Sequence, residues 1–146
     1  MSICSYFFDL LNDSLVFLSS GASCKRSARI FELKLLEHLG LVPEIKFCVR
    51  CRAQSPEPAH FSVTQGGILC KECHGAKGSG QSGTPVSKGT LNFLQHVQRS
   101  GIQDLYKVKV AQEVGEELEK ILRRFVDFHL HNKLKSITFI EKMGLN

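Results

Sequence analysis

Cys48-Val49-Arg50-Cys51 and Cys70-Lys71-Glu72-Cys73 form two C-x-x-C knuckles with residues 52–69 between them. This spacing falls within the four-cysteine zinc range. The reason is geometric. Two residues between cysteines let a tight turn aim both sulfurs at one point, while N–H groups of the turn offset thiolate charge. A second such turn completes a closed tetrahedron. A closed site leaves no position open for water, so one structural Zn²⁺ is expected on Cys48, Cys51, Cys70 and Cys73. Zinc-binding energies of about 10–16 kcal/mol in small fingers would organise a segment this short.

Three other chemistries share parts of this pattern. Cys70-Lys71-Glu72-Cys73-His74 matches a haem attachment motif, but that reading needs export and ignores the first knuckle. Either knuckle alone suits a dithiol redox site; two at zinc spacing suit it less. A zinc deaminase needs H-x-E before P-C-x-x-C. His60 is followed by Phe61-Ser62, and no proline precedes either knuckle. His74 is read as an outer or solvent-facing residue, and Cys4 and Cys24 as ordinary thiols.

The chain around these cysteines has 146 residues, 42% hydrophobic and 23% charged. That composition is globular and suits one domain with a small insert. No apolar run approaches the roughly 18 residues of a membrane span. The apolar start is interrupted by Asp9 and Asp13, and no Lys or Arg precedes Lys25. This is the reverse of a secretory signal. A cytoplasmic location is expected, where cysteines bind metal rather than pair.

The elements that must position the knuckles are mostly helical. Apolar residues at 7, 8, 11, 15 and 18 predict a helix over about Ser5–Leu18, ended by Ser19-Ser20-Gly21. A second helix is expected over Ser27–Leu39, capped by Ser27, closed by Gly40 and stopped by Pro43. The two should pack as a hairpin. Strand-like Ala59–Val63 and Ile68–Cys70 flank a turn at Thr64-Gln65-Gly66-Gly67. An isolated hairpin is marginal in water, so something else must hold it. Residues 75–85 read as a Gly/Ser-rich loop. Ser87 should cap a helix over Lys88–Arg99. A long helix is expected over Ala111–Asn132, with a last turn over Ser136–Lys142.

The net charge is +5, and zinc with four thiolates would bring it to +3. Arg50, Arg52 and Lys71 lie on or beside the knuckles. Lys120, Arg123, Arg124 and Asp127 lie off the apolar stripe of the long helix, and Lys133, Lys135 and Lys142 follow. Such a face could track a phosphate backbone through counterion release. The competing reading is a solvated helix face, with Lys and Arg favoured near a helix C-terminus. Phe125, Phe128 and Phe139 are read as core rather than as base-stacking platforms.

Three stretches carry a family pattern: Phe31-Glu32-Leu33-Lys34-Leu35-Leu36-Glu37-His38-Leu39-Gly40 running to Pro43-Glu44 and Cys48-x-x-Cys51; Phe61-Ser62 with Gly66-Gly67-Ile68-Leu69-Cys70-x-x-Cys73; and Leu122-Arg123-Arg124-Phe125-Val126-Asp127-Phe128-His129-Leu130 with Lys133-Leu134-Lys135-Ser136. In order and spacing the set resembles the bacterial recombination-mediator family RecO over roughly residues 31–143. The resemblance implies a helical C-terminal domain interrupted by a four-cysteine zinc insert, with a role in DNA repair by homologous recombination. RecO-like proteins bind single- and double-stranded DNA, anneal strands and act with RecR. Together they help RecA replace single-stranded-DNA-binding protein on gapped DNA. No bond is made or broken, so no catalytic residue is expected. The family's helical domain is also implicated in contacting the acidic, apolar tail of single-stranded-DNA-binding protein.

The expected fold is therefore mainly α: a helical domain over 1–43 and 86–146, with a zinc-binding β-hairpin and loop inserted over 44–85. The family's N-terminal oligonucleotide-binding barrel has no counterpart, because no run of alternating short strands precedes the first helix. Arg50, Arg52, Arg123, Arg124, Lys133 and Lys135 are the expected phosphate contacts. The alternative function is a zinc-stabilised protein-interaction module without DNA binding of its own.

Overall fold

The computed structural model describes residues 3–21, 24–76 and 83–144. Among these residues six helices and three strands follow in the order α1 (Ile3–Ser19), α2 (Cys24–His38), β1 (Ala59–Ser62), β2 (Gly67–Cys70), α3 (Lys71–Gly75), β3 (Thr84–Val86), α4 (Lys88–Arg99), α5 (Ile102–Leu105) and α6 (Gln112–Lys142). The molecule is mainly helical, with one small antiparallel sheet ordered β2-β1-β3.

Helices α1 and α2 form the expected antiparallel hairpin, with Tyr6 stacked on His38 at a centroid distance of 4.2 Å. The face that α1 buries is not the expected one. Leu10 and Ser14 are buried, and Phe17 stacks on Tyr106 at 3.7 Å. Phe8, Leu11 and Leu15 are 70%, 47% and 56% exposed. The helix is apolar on both sides, so periodicity alone did not say which side faces inward.

Helix α2 begins at Cys24, so Ser27 does not cap it; Ser27 is buried inside the first turns, and its hydroxyl has no hydrogen-bond partner among the described residues. The C-terminal end behaves as expected. Gly40 adopts φ +75°. The Gly40 N–H donates to Glu37 O at 3.1 Å and the Leu41 N–H to Leu36 O at 2.8 Å. These are the two bonds of a Schellman motif, which needs a left-handed residue.

In the hairpin, the turn sits one residue earlier than expected. Ser62 pairs with Gly67, so Val63–Gly66 make the turn, and Gly66 takes φ +73°. Gly67 belongs to β2 through this pairing, and glycine is needed there because a Cβ would lie 2.5 Å from Glu44 O. The backbone of Glu44 is laced to this strand: its N–H donates to Gly66 O at 2.9 Å, and its carbonyl accepts from Ile68 N–H at 3.0 Å.

The strand β3 overlaps the end of the stretch read as a Gly/Ser-rich loop. It pairs antiparallel with β1, Pro85 facing His60. Proline lacks a ladder donor and is tolerated because β3 is an edge strand. Residues 77–82 of that stretch lie outside the described residues.

Helix α4 starts at its expected cap. Ser87 Oγ accepts from Thr90 N–H at 3.3 Å, and Glu117 Oε2 on α6 accepts from the Ser87 N–H, Ser87 hydroxyl and Thr90 hydroxyl at 3.0, 2.9 and 2.6 Å. Burial raises the Glu117 pKa, but these donors outweigh it and hold the carboxyl below the usual carboxylate range. Helix α6 runs unbroken to Lys142, so the expected end at Asn132 and the separate last turn are corrected. No Gly or Pro lies between 132 and 142 to stop it.

One core joins helices and sheet. Ile30 and Leu36 of α2, Leu94 of α4 and Leu118, Ile121 and Phe125 of α6 pack with Ile45, Phe61 and Ile68. Phe61 meets Phe125 edge-on at 5.9 Å. Of the three phenylalanines assigned to the core, Phe125 is buried and Phe128 half-buried, but Phe139 is 62% exposed on the distal part of α6. No helix of the described residues is long and apolar enough to cross a membrane.

Candidate metal centre and basic surface

Each knuckle hangs from the sheet in its own way. After Ile45, the chain makes a bridge between Phe47 and Gln54, with Cys48 N–H donating to Ala53 O and Arg52 N–H to Cys48 O. Arg52 closes this turn at φ +64°, a left-handed conformation that favours glycine. The Val49 N–H donates to Ile68 O at 2.9 Å, which fixes the first knuckle against β2. The second knuckle needs no loop. Cys70 ends β2 and caps the short helix α3, its Sγ accepting from Cys73 N–H at 3.4 Å.

These two supports bring the ligand atoms of Cys48, Cys51, Cys70 and Cys73 within 4.8 Å of one another. Among the described residues no other group of three or more His, Cys, Asp or Glu is so placed. Cys51 Sγ and Cys70 Sγ are 3.7 Å apart. A tetrahedral ion with metal–sulfur bonds of about 2.3 Å has sulfur–sulfur edges of about 3.8 Å. The donor set therefore fits a closed four-thiolate metal ion.

The thiols themselves need a counter-charge. At Cys48, burial works upward, but backbone N–H groups of Cys51, Cys70 and Arg50 outweigh it and bring the pKa to about 6. Cys73 is pushed up to about 12 by its contact with the Cys70 sulfur, with burial and the other sulfurs adding to it. Four sulfurs this close cannot all ionise alone, whereas a divalent cation stabilises all four thiolates. His74 stays outside the cluster and stacks on His60 at 3.9 Å. Cys4 and Cys24 are exposed free thiols.

The expected phosphate contacts sit on two elements, the first knuckle and α6. Arg50 and Arg52 are exposed on the first knuckle. Arg50 Nε donates to Gln65 Oε1 at 3.3 Å. Arg52 lies over the Phe47 ring at 5.0 Å and 3.7 Å from Glu44 Oε2. Arg123 and Arg124 are exposed mid-way along α6, Arg123 paired with Glu119 at 3.5 Å and Arg124 donating to Thr84 Oγ1 of β3 at 2.9 Å. Lys135 is exposed further along α6; the Lys133 side chain lies outside the described residues. The partners Glu44, Phe47, Gln65 and Thr84 carried no signal in the sequence, because each is distant in the chain or has no fixed spacing.

A groove of about 390 Å³ lies elsewhere, between α2 and the first turns of α6. Lys25, Arg26 and Arg29 line it from α2, Gly115, Glu116 and Glu119 from α6, with Phe93 and Leu118. Sequence periodicity had no means of pairing these two helix starts.

A family model described as recombination protein O, C terminal, matches residues 4–137. The chain belongs to the RecO C-terminal family. Its relatives include proteins named DNA repair protein RecO. That of Desulforamulus reducens is 34% identical over 137 residues, covering 93% of this chain and 52% of the relative. That of Dehalococcoides mccartyi strain 195 is 28% identical over 138 residues, covering 94% and 53%. That of Anaeromyxobacter sp. strain K is 33% identical over 138 residues, with the same coverage. The chain thus spans about half the length of the curated relatives it matches. The four-cysteine cluster and the α6 arginines lie inside the region matched by the RecO family model.

Proposed function

We propose that this RecO C-terminal region acts as a non-catalytic mediator of recombinational repair, binding DNA and helping RecA load onto gapped DNA coated with single-stranded-DNA-binding protein. RecR and that binding protein are its proposed partners, and RecA an indirect one. The observation that carries this reading is the family match over residues 4–137, with the four cysteines clustered inside it. One Zn²⁺ on Cys48, Cys51, Cys70 and Cys73 would supply closed, structural coordination. It would stabilise residues 44–85 as an insert between helical segments 1–43 and 86–146. Arg50, Arg52, Arg123, Arg124, Lys133 and Lys135 are the proposed phosphate contacts.

Fluorescence anisotropy with a single-stranded oligonucleotide across a salt series tests the DNA reading. Binding should weaken steeply with salt, and Arg123→Ala with Arg124→Ala should shallow the slope by about two. Binding indifferent to salt, or to this double substitution, would remove these arginines from the DNA surface.

The groove between α2 and α6 supports the second reading, a zinc-stabilised protein-interaction module without DNA binding. Its cationic α2 side beside Phe93 and Leu118 suits an acidic, apolar peptide such as the tail of single-stranded-DNA-binding protein. Tail-peptide binding that is lost in Lys25→Glu with Arg29→Glu, in a protein with no oligonucleotide affinity, would favour it.

A further inference from the structure

The unbroken course of α6 aligns residues that a helix ending at Asn132 would have scattered. Lys120, Arg124, His131, Lys135 and Lys142 are spaced four, seven, four and seven residues apart. Every interval is close to a whole number of helical turns, so all five lie within about 40° of one line along the helix. All five are exposed. At a rise of about 1.5 Å per residue the line is about 33 Å long. Phe128 and Phe139 border one edge of it. Phe139 is 62% exposed, within one turn of both Lys135 and Lys142. With them, His131 and Thr138 it lines an open hollow of about 390 Å³.

A solvated helix face commonly sets acids beside its cations. Between 120 and 142 the acids are Asp127 and Glu141. Both stand on the edge away from the phenylalanines, about 60° and about 100° from the line. The helix neighbours of Lys135 at three and four residues are His131, Asn132, Thr138 and Phe139, none of them acidic. Lys120, Lys135 and Lys142 enter no ion pair among the described residues. We infer, on the DNA-binding reading proposed above, that this line is a single-strand track. Phosphates run along Lys120, Arg124, Lys135 and Lys142, and an unpaired base stacks on Phe139. A straight row of cations matches a linear polyanion. An exposed ring between two ammonium groups offers a stacking face that unpaired bases use and that bases inside a duplex cannot reach. Duplex DNA can engage the lysines but leaves Phe139 unused.

The chain has no tryptophan, so Phe139→Trp places a single reporter on the track of the metal-loaded chain. Oligothymidylate should quench its emission. A blunt duplex, heparin as a polyanion without bases, and an acidic peptide should not. In anisotropy, Phe139→Ala should weaken oligothymidylate binding about five- to a hundredfold with the salt slope unchanged, and leave duplex binding as it was. Lys135→Ala with Lys142→Ala should shallow the slope by roughly one to two for either DNA. Leu130→Ala, exposed on the side of α6 opposite Phe139, should change nothing. An unaltered helical circular-dichroism signal in each variant excludes loss of fold as the cause. Oligonucleotide binding that the Phe139 and lysine variants leave intact, but that Arg50→Ala with Arg52→Ala abolishes, would overturn the track and keep the DNA reading. A wild-type chain that binds no oligonucleotide would overturn both. Quenching by the acidic peptide in place of oligothymidylate would overturn the track in favour of a protein partner.

Discussion

The sheet with its knuckles and the helix α1 are held by opposite means. The sheet is short, its strands three or four residues each. It stands on point chemistry: four converging sulfurs, the Glu44 backbone laced into β2, and Phe61 set against Phe125. Helix α1 has 17 residues and is pinned at one point by the Tyr106 hydroxyl, which donates to buried Ser14 Oγ at 2.9 Å. It holds by spreading one apolar face over α2 and α5 and leaves an equally apolar face outside. The difference teaches that ligand geometry fixes a short segment in one register, while apolar burial fixes only which elements touch.

Removing the metal or replacing Cys48 should expose this contrast most strongly. Chelation, or Cys48→Ser, should cost more stability than any other change proposed here, because metal binding contributes much of the folding energy of small four-cysteine units. Denaturant melts should show that loss, with metal analysis falling from about one ion per chain to none. A chain indifferent to both would remove point chemistry as the basis of the sheet.

Next in size is the junction between sheet and helices. Phe61→Ala should cost about 3–5 kcal/mol, as truncation of a buried aromatic does. Leu15→Ala on the outer face of α1 should stay within about 0.5 kcal/mol in dilute protein. Equal costs would mean that the outer face of α1 is covered within one molecule.

Glu117→Ala should cost about 1–3 kcal/mol, because the buried Thr90 hydroxyl loses its acceptor. Its pH dependence has a defined sign. Glu117 titrates below the ordinary carboxylate range in the folded chain. Its contribution is therefore present above pH of about 4.3 and lost as pH falls through the folded value. Urea melts of Glu117→Gln should be flatter than wild type in that acid window.

The smallest effect sharpens the sheet side alone. Arg52→Gly relieves a left-handed backbone costing about 1–2 kcal/mol. It also removes an exposed ion pair and a cation–π contact, each worth about 0.5–1 kcal/mol. The melting temperature should barely move. Oligonucleotide affinity that falls without it would then report a lost phosphate contact rather than lost structure.

Legibility in the sequence followed the same division. Cys48, Cys51, Cys70 and Cys73 announce a cluster because ligand spacing constrains three-dimensional position. The caps at Ser87 and Gly40 are equally local and were readable. Ser27 misled because a serine before an apolar run signals a cap only when the helix has not already begun. β3 was hidden because its pairing to β1 is long-range and its neighbours are Gly and Ser. The inward face of α1 depended on which neighbour came to meet it, and both of its faces carried the same periodic signal.

Gly67 has a consequence for how this region tolerates change. A side chain there would meet Glu44 O at 2.5 Å and Glu44 Cβ at 2.9 Å, and the first of these is backbone that cannot swing aside. Randomising the codon and selecting for metal-loaded protein should return glycine almost alone. Gly115, where an added Cβ meets nothing within 4 Å, should accept alanine freely. Two glycines of equal appearance in the sequence would then differ as completely as sites can in what they permit a descendant of this chain to become.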